Sequence, residues 1–400
     1  MPTPLNSPIK PADEPAPAAV ARTLALPLDP LLTLAVVGLG IASVMTLGAA
    51  TQNLIPGQPH YYVDRQAIYL VLGGLLMVVL ARVDYARLRA LKNVIYALLI
   101  GSILAVLAAG SSINGAQRAI SLPFFSFQSS ELGKVLLILS LSAFVVDRAR
   151  RLRERDTTAR VMLAALVPAM LVIAQPDLGS GMVYMVIAFL LLFVAGTSWR
   201  QLTALLALVA LSLTFVLVAA PAAGVHVLKS YETERLTAFL HPSTNPETKG
   251  YQQEEAKIAI GSGQKTGRGA GATQIRLNFV PEDNTDFVFA AVGEQYGFLG
   301  AGLVLCLYAL LIWRTLRILT IAKDLFGALV AAGVAAMLMF QVFVNVGMTI
   351  GIMPITGVTL PLMSYGGSSV ITILLAVGLL QSIYVRSRSS AALKGRVPLH

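Results

Sequence analysis

The chain has 400 residues, 56% of them hydrophobic and 12% charged, with a mean hydropathy of +0.74. An ordinary soluble domain is about 25% charged, and a soluble fold of this size has too little polar surface to cover so much apolar side chain, so lipid is the solvent for much of it. The single cysteine, Cys306, excludes a disulfide framework, and four dispersed histidines, His60, His226, His241 and His400, argue against a zinc site.

Residues 1–30, rich in Pro and Ala, read as a flexible cytoplasmic tail. They lack a signal-peptide pattern, because the first apolar run comes late and continues to full span length. Crossing about 30 Å of hydrocarbon takes about 20 mostly apolar residues. Ten runs qualify: 31–50, 66–81, 93–110, 131–146, 161–175, 179–196, 201–221, 287–313, 327–352 and 368–385. The stretch 161–196 is too long for one helix, and QPDLG (175–179) supplies the hairpin, since Pro176 ends a helix and Asp177 is costly in lipid.

An even number of spans puts both termini on one side. Arg and Lys concentrate in ARVDYARLRALK (81–92), DRARRLRER (147–155), WRTLRILTIAK (313–323) and YVRSRSSAALKGR (384–396). Short loops on the opposite side hold Arg65 and Arg118, with Lys134 just inside a helix. The positive-inside rule then places both termini in the cytoplasm, including a second tail at 387–400. The net charge of +10 reads as topology and contact with anionic membrane lipid, with no nucleic acid implied. The expected fold is an all-α integral membrane protein, a polytopic bundle of ten transmembrane helices over 31–386. One large extracytoplasmic loop, 222–286, separates the seventh helix from the eighth.

Within that loop, EEAKIAIGSG (254–263) permits a short amphipathic helix at the interface. The glycine cluster GSGQKTGRGAG (261–271) matches neither GxxxxGK[ST] nor GxGxxG and follows no strand. It reads as a turn, in a structured lid or re-entrant hairpin. The loop ends in FVPEDNTDFVF (279–289), which gathers Glu282, Asp283 and Asp286 directly before an apolar run. Asp286 has two readings: a helix cap favoured by the dipole, or a functional carboxylate with no base in the adjacent turns to neutralise it. Thr285 beside it can hydrogen-bond locally.

Other polar residues enter the outer ends of spans: Glu131 and Lys134 in SSELGKVL (129–136), Asp177, Glu294, Gln341 and Asn345. Glu131 and Lys134 are three apart, share a helix face and can pair, either to hold the bundle together or to act at a site. GIMPITGVTLPLMSYGGSS (351–369) is an outer loop dense in Pro and Gly, ending in Ser364, Tyr365, Ser368 and Ser369 around Gly366 and Gly367. It is either a pocket of hydroxyls and amides for a polar head group or a tight re-entrant turn.

INGAQRAISLPFFSFQSSELGK, QPDLGSGMVY, FVPEDNTDFVFAAVGEQYGFLG and GMTIGIMPITGVTLPLMSYGGSS occur in that order, and together they resemble the SEDS family (shape, elongation, division and sporulation). The wording of the last motif is closer to the elongation branch than to the division branch. The resemblance implies a ten-helix bundle that polymerises lipid II into glycan strands at the outer face of the cytoplasmic membrane. It also implies a class B penicillin-binding protein as partner, whose transpeptidase crosslinks the product. By motif matching, Asp286 is the carboxylate essential to polymerisation, and Glu131 and Lys134 are the paired helix residues. Asp177 is the acid of the QPD turn, Arg235 the basic residue of the large loop, and Ser364, Gly366 and Gly367 form the SYGG turn. The chain departs from the family pattern at Asn284, where histidine is usual, and at Ala119, Ser129, Glu255 and Ala256.

Glycosyl transfer from a lipid pyrophosphate needs a base for the attacking hydroxyl and cations to offset the leaving charge. Asp286 can be that base or can hold a divalent cation, Mg or Mn. Lys134, Arg118 or Arg235 can offset the pyrophosphate, with Glu282 and Thr285 beside Asp286 in the same substrate region. Two rival classes share these features: a flippase for a lipid-linked cell-wall precursor, and a non-catalytic scaffold of a cell-wall synthesis complex.

Overall fold

The computed structural model describes residues 28–52, 54–113, 116–121, 125–151, 154–214, 239, 249–276, 279 and 284–394. Aspartates open several of its helices. α1 (Pro30–Ala50) starts at Asp29, whose carboxylate accepts the N–H of Leu31 and Leu32 at 3.1 and 3.0 Å, with Pro30 where no N–H is needed. α2 (Tyr61–Arg82) leads through α3 (Tyr85–Ala90), capped by Asp84, to α4 (Lys92–Ala109). Three short strands follow, β1 (Ser111–Ile113), β2 (Ala116–Ser121) and β3 (Ser126–Phe127), in antiparallel order β1-β2-β3. This small sheet is an addition to the all-helical expectation, and it gives the connection between α4 and α5 backbone partners of its own.

α5 (Ser129–Asp147) and α6 (Arg155–Ala174) come next, and the hairpin at QPDLG falls where expected, with α7 (Leu178–Val194) opening on Asp177. α8 (Trp199–Thr214) precedes the large loop, of which α9 (Lys249–Ser262) and α10 (Thr273–Arg276) are described. α11 (Val288–Ile321), α12 (Leu325–Thr349, capped by Asp324) and α13 (Gly367–Lys394) complete the chain, α13 running past the expected boundary at 386. Each of the ten apolar runs overlaps a helix among the described residues, with 215–221 of the seventh run outside them. Among the described residues, eight helices are long and apolar enough to cross a membrane; α7 and the described apolar part of α8, Trp199–Leu211, are shorter.

The protein is a polytopic helical membrane protein, and its burial is inverted accordingly. α5, α12 and α13 form the centre, with 83%, 78% and 83% of their spans buried, whereas α2, α4 and α11 bury 22% and turn apolar faces outward. Leu34, Val37, Ile41 and Met45 of α1 and Leu299 and Leu303 of α11 are large, apolar and exposed, as lipid-facing residues are. At the end of the bundle that carries the basic segments, Asp29 is fully buried. It forms an ion pair with Arg314 of α11, while its backbone N–H donates to Gln381 Oε1 of α13 at 2.7 Å.

The span expected to be continuous over 287–313 is broken. Gly297 adopts φ 63° and ψ −160° inside α11, a conformation glycine alone takes readily. The N–H groups this frees are not left unpaired. Phe298 and Leu299 donate to the carbonyls of Gln264 and Lys265 at 2.8 and 3.1 Å, and Arg268 N–H donates to Glu294 O at 2.8 Å. Irregular backbone at membrane depth survives where protein supplies such partners. The glycine cluster is therefore a splint. A Cβ on Gly267, which sits at φ 84°, would overlap the Gln295 carbonyl, and one on Gly263 would overlap that of Gly293. The fully buried Glu294 completes the joint by accepting the N–H of Gln274 and Ile275 at 2.9 and 3.0 Å, which starts α10.

Candidate active site

Asp286 lies in the turn 284–287 that enters α11. The N-cap position is Phe287, which makes no side-chain cap bond, so Asp286 stands one residue ahead of the capping position. Phe287 is 1% exposed and drives into an apolar cluster with Ala256 and Ala259 of α9, Ala290 and Ala291 of α11 and Met348 of α12. Asp286 itself is half-buried.

Three successive carbonyls of this turn are each held by a donor from elsewhere. Tyr365 N–H donates to Asn284 O at 2.8 Å, the Ser364 hydroxyl to Thr285 O at 2.5 Å, and Asn345 Nδ2 to Asp286 O at 2.8 Å. Asn345 Nδ2 also donates to Val358 O at 2.8 Å, and Ser364 Oγ accepts the Leu360 N–H at 2.8 Å. The loop 351–366 and α12 thus fix the backbone that carries Asp286. Ser364 is 1% exposed with its hydroxyl used in both directions. Its contribution to the site is the placement of Thr285. Asn284, the departure from histidine, takes part through its carbonyl.

The SYGG turn is also tied to α1 and α2. Gln66 Nε2 donates to Ser364 O at 3.3 Å and to Ser43 Oγ at 3.0 Å, and Ser43 donates to Met363 O at 2.9 Å. A Cβ on Gly367 would stand 3.0 Å from the Tyr69 ring, whereas one on Gly366 would meet little. The Tyr365 ring packs edge-on against Tyr62 at 4.9 Å between centroids and lies 6.3 Å from Tyr69. The Arg65 guanidinium stacks on Tyr61, 4.4 Å from its centroid, and hydrogen-bonds Tyr69. Burial raises the pKa of Tyr365 well above its ordinary value and neighbouring Tyr69 adds to this, against the opposing pull of Arg65. The phenol is therefore a neutral group at any physiological pH.

Glu131 and Lys134 pair at 2.6 Å and are 3% and 1% exposed, so the ammonium is neutralised inside the bundle. Asp177, 8% exposed, accepts the Ser130 hydroxyl at 2.7 Å, Gln128 Nε2 at 3.2 Å and the Ser180 N–H at 3.0 Å. Tyr184 of α7 donates to Ser130 O at 3.1 Å. These bonds lock the start of α7 to that of α5. The same α5 start meets the SYGG turn through Ser368, whose hydroxyl donates to Ser126 O at 2.6 Å and accepts Gln128 N–H at 2.9 Å.

Among the expected site residues, Asp286, Thr285 and Ser364 come together directly, with Gly366 and Gly367 following Ser364 in the same turn. Glu131, Lys134 and Asp177 form a neighbouring buried group. Arg118 lies on β2, and Arg235 and Glu282 fall outside the described residues. A divalent cation at this turn has Asp286 as its one described carboxylate, and no group of three His, Cys, Asp or Glu converges among the described residues. Glu282 and Asp283 of the same acidic stretch lie outside the described residues, and the chemistry below is built on the chain's own side chains. Two participants escaped the sequence reading. Asn345 stood out as a polar residue in a span, but its target, a carbonyl 59 positions away, leaves no local signal. The tyrosine frame of Arg65 was visible as YYVDRQAIY (61–69), a tyrosine-rich start to an apolar run.

A family model described as "Cell cycle protein", covering FtsW, RodA and SpoVE, matches residues 28–389. The probable peptidoglycan glycosyltransferase FtsW of Thioalkalivibrio sulfidiphilus is 37% identical over 378 residues, 92% of this chain and 91% of that protein. The peptidoglycan glycosyltransferase MrdB of Escherichia coli K12 is 34% identical, covering 90% and 94%. Among solved structures, a chain described under "Structural coordination of polymerization and crosslinking by a peptidoglycan synthase complex" superposes with a TM-score of 0.75 at 32% identity, covering 91% of this chain and 99% of that one. The rod shape determining protein RodA of Thermus thermophilus gives 0.64 at 31% identity, covering 91% and 98%.

Proposed function

This chain belongs to the FtsW/RodA/SpoVE family, and from that premise we propose that it is a peptidoglycan glycosyltransferase that polymerises lipid II at the outer face of the cytoplasmic membrane. Asp286 is the base. It takes the proton from the attacking sugar hydroxyl as that oxygen bonds to the anomeric carbon of a second lipid-linked sugar. The bond from that carbon to the diphosphate breaks, and the lipid diphosphate leaves. The observation that carries this reading is the capture of three successive carbonyls at 284–286 by Tyr365, Ser364 and Asn345. So much fixation of one half-buried carboxylate's backbone is what pre-organised proton transfer requires.

The lipid-facing exterior lets two tethered substrates reach the turn by lateral diffusion, which accounts for an acid placed where a span begins. Both termini lie in the cytoplasm in this reading, on the strength of the Lys and Arg distribution. A class B penicillin-binding protein is the partner, in keeping with the solved relative described as part of a peptidoglycan synthase complex. Matched relatives bear the names FtsW, RodA and stage V sporulation protein E. The assignment to elongation rests on the wording of 347–369.

The test is polymerisation of lipid II by the purified protein. Asp286→Asn is expected to abolish glycan product while leaving thermal stability and partner binding intact. A variant that polymerises at near wild-type rate would remove Asp286 from the chemistry. Polymer formed from lipid II supplied on an accessible face, with no transport step, excludes a pure flippase, and a scaffold would show no dependence on position 286.

A further inference from the structure

The reaction proposed above leaves a negative diphosphate close to Asp286, yet the described cations near the turn are mostly committed. Lys134 is buried against Glu131. Arg65 is different. It occupies the first turn and a half of α2, half-buried, and no ion pair among the described residues includes it. Its guanidinium instead lies over Tyr61 and hydrogen-bonds Tyr69.

An aromatic-belt anchor pointing to lipid would explain an isolated Arg–Tyr contact at a helix end. The surroundings favour another orientation. Tyr69, one turn further along α2, is 6% exposed and packs on Tyr365 and Gly367. Gln66, the next residue after Arg65, is fully buried and donates to Ser364 O. This part of α2 is therefore turned toward the SYGG turn. Tyr365 bridges the two groups, its ring beside Tyr62 and Tyr69 and its N–H on Asn284 O, two residues from Asp286.

We infer that Arg65, framed by Tyr61, Tyr69 and Tyr365, binds the diphosphate of the lipid-linked substrate beside Asp286. A guanidinium stacked on aromatic rings keeps its donor edge available, and its planar fork suits two phosphate oxygens at once. Neutral phenols add hydrogen-bond donors and bring no competing charge. The outermost turn of a spanning helix is also where a lipid's phosphates lie.

This inference rests on the glycosyltransferase reading, and its test separates the two. Lipid II binding is measured by fluorescence quenching with the purified full chain in an Asp286→Asn background, where no turnover consumes the probe. Adding Arg65→Gln is expected to weaken binding about tenfold or more, as loss of a charge-assisted bond would, while Arg65→Lys retains part of the affinity. Phosphatidylglycerol vesicles, carrying a single phosphate diester, are expected to compete poorly. Equal lipid II affinity with and without Arg65, in proteins of equal melting temperature, would overturn the inference, as would competition by phosphatidylglycerol as strong as by lipid II. Persistent polymerisation by Asp286→Asn alone would overturn the role of the base and leave the binding comparison standing.

Discussion

Asn345→Leu tests the link between fold and chemistry most directly. Leucine keeps nearly the same volume but has no donor, so Asp286 O and Val358 O each lose a bond of 2.8 Å. Double-mutant cycles in membrane proteins average about 0.6 kcal/mol per side-chain bond, whereas a buried group left unpaired costs about 1–3 kcal/mol. Asn345 is fully buried. Two orphaned carbonyls therefore place the loss between about 1 and 6 kcal/mol, nearer the upper end if no water reaches them. The bundle, held by many helix contacts, is expected to remain assembled, but the turn carrying Asp286 loses one of its three anchors. Turnover of lipid II is expected to fall at least tenfold with KM little changed, because the missing bonds position the base and do not touch substrate. Hydrogen exchange at 284–287 is expected to quicken in parallel. Wild-type turnover together with unchanged exchange at that turn would refute the claim that these carbonyl bonds place the carboxylate.

The buried pair makes a second prediction: Lys134→Met or Glu131→Gln alone is expected to destabilise the protein by about 3–5 kcal/mol, because each leaves its former partner uncompensated. The double variant is expected to regain most of that stability and of the polymerisation rate, measured by thermal melt and lipid II assay; a stable but inactive double variant would move the pair into the chemistry. Gly267→Ala, at φ 84° and against the Gln295 carbonyl, is expected to undock the splint from α11. Protease cleavage within 261–276 should then become rapid, and unchanged resistance would refute the close-approach argument.

Span positions were legible because lipid imposes length and hydropathy on each segment separately. The hairpin at QPDLG was legible for the same local reason, a proline and a carboxylate interrupting an apolar stretch. The break at Gly297 was not, since its cause is a chain segment some thirty residues upstream and glycine alone predicts little. The glycine cluster 261–271 reads, from sequence, as a turn. Its spacing matches backbone atoms of another helix, which no periodicity encodes. At the candidate site, Asp286 and the SYGG turn stood out by composition, and their contact through Ser364 and Thr285 spans 79 positions. The resemblance to a family supplied the connection that local physics lacked. In the sequence Arg65 signals topology alone, because what distinguishes it is a frame assembled from α2 and Tyr365.

The tie at Asp29 carries a consequence for how this molecule comes to exist. The residue that opens α1 is completed by Arg314 of α11 and Gln381 of α13, 285 and 352 positions later. Until those two residues have been made, the carboxylate has only the N–H groups of Leu31 and Leu32 at its own helix start. The start of α1 is therefore sealed only after the chain has been made through Gln381.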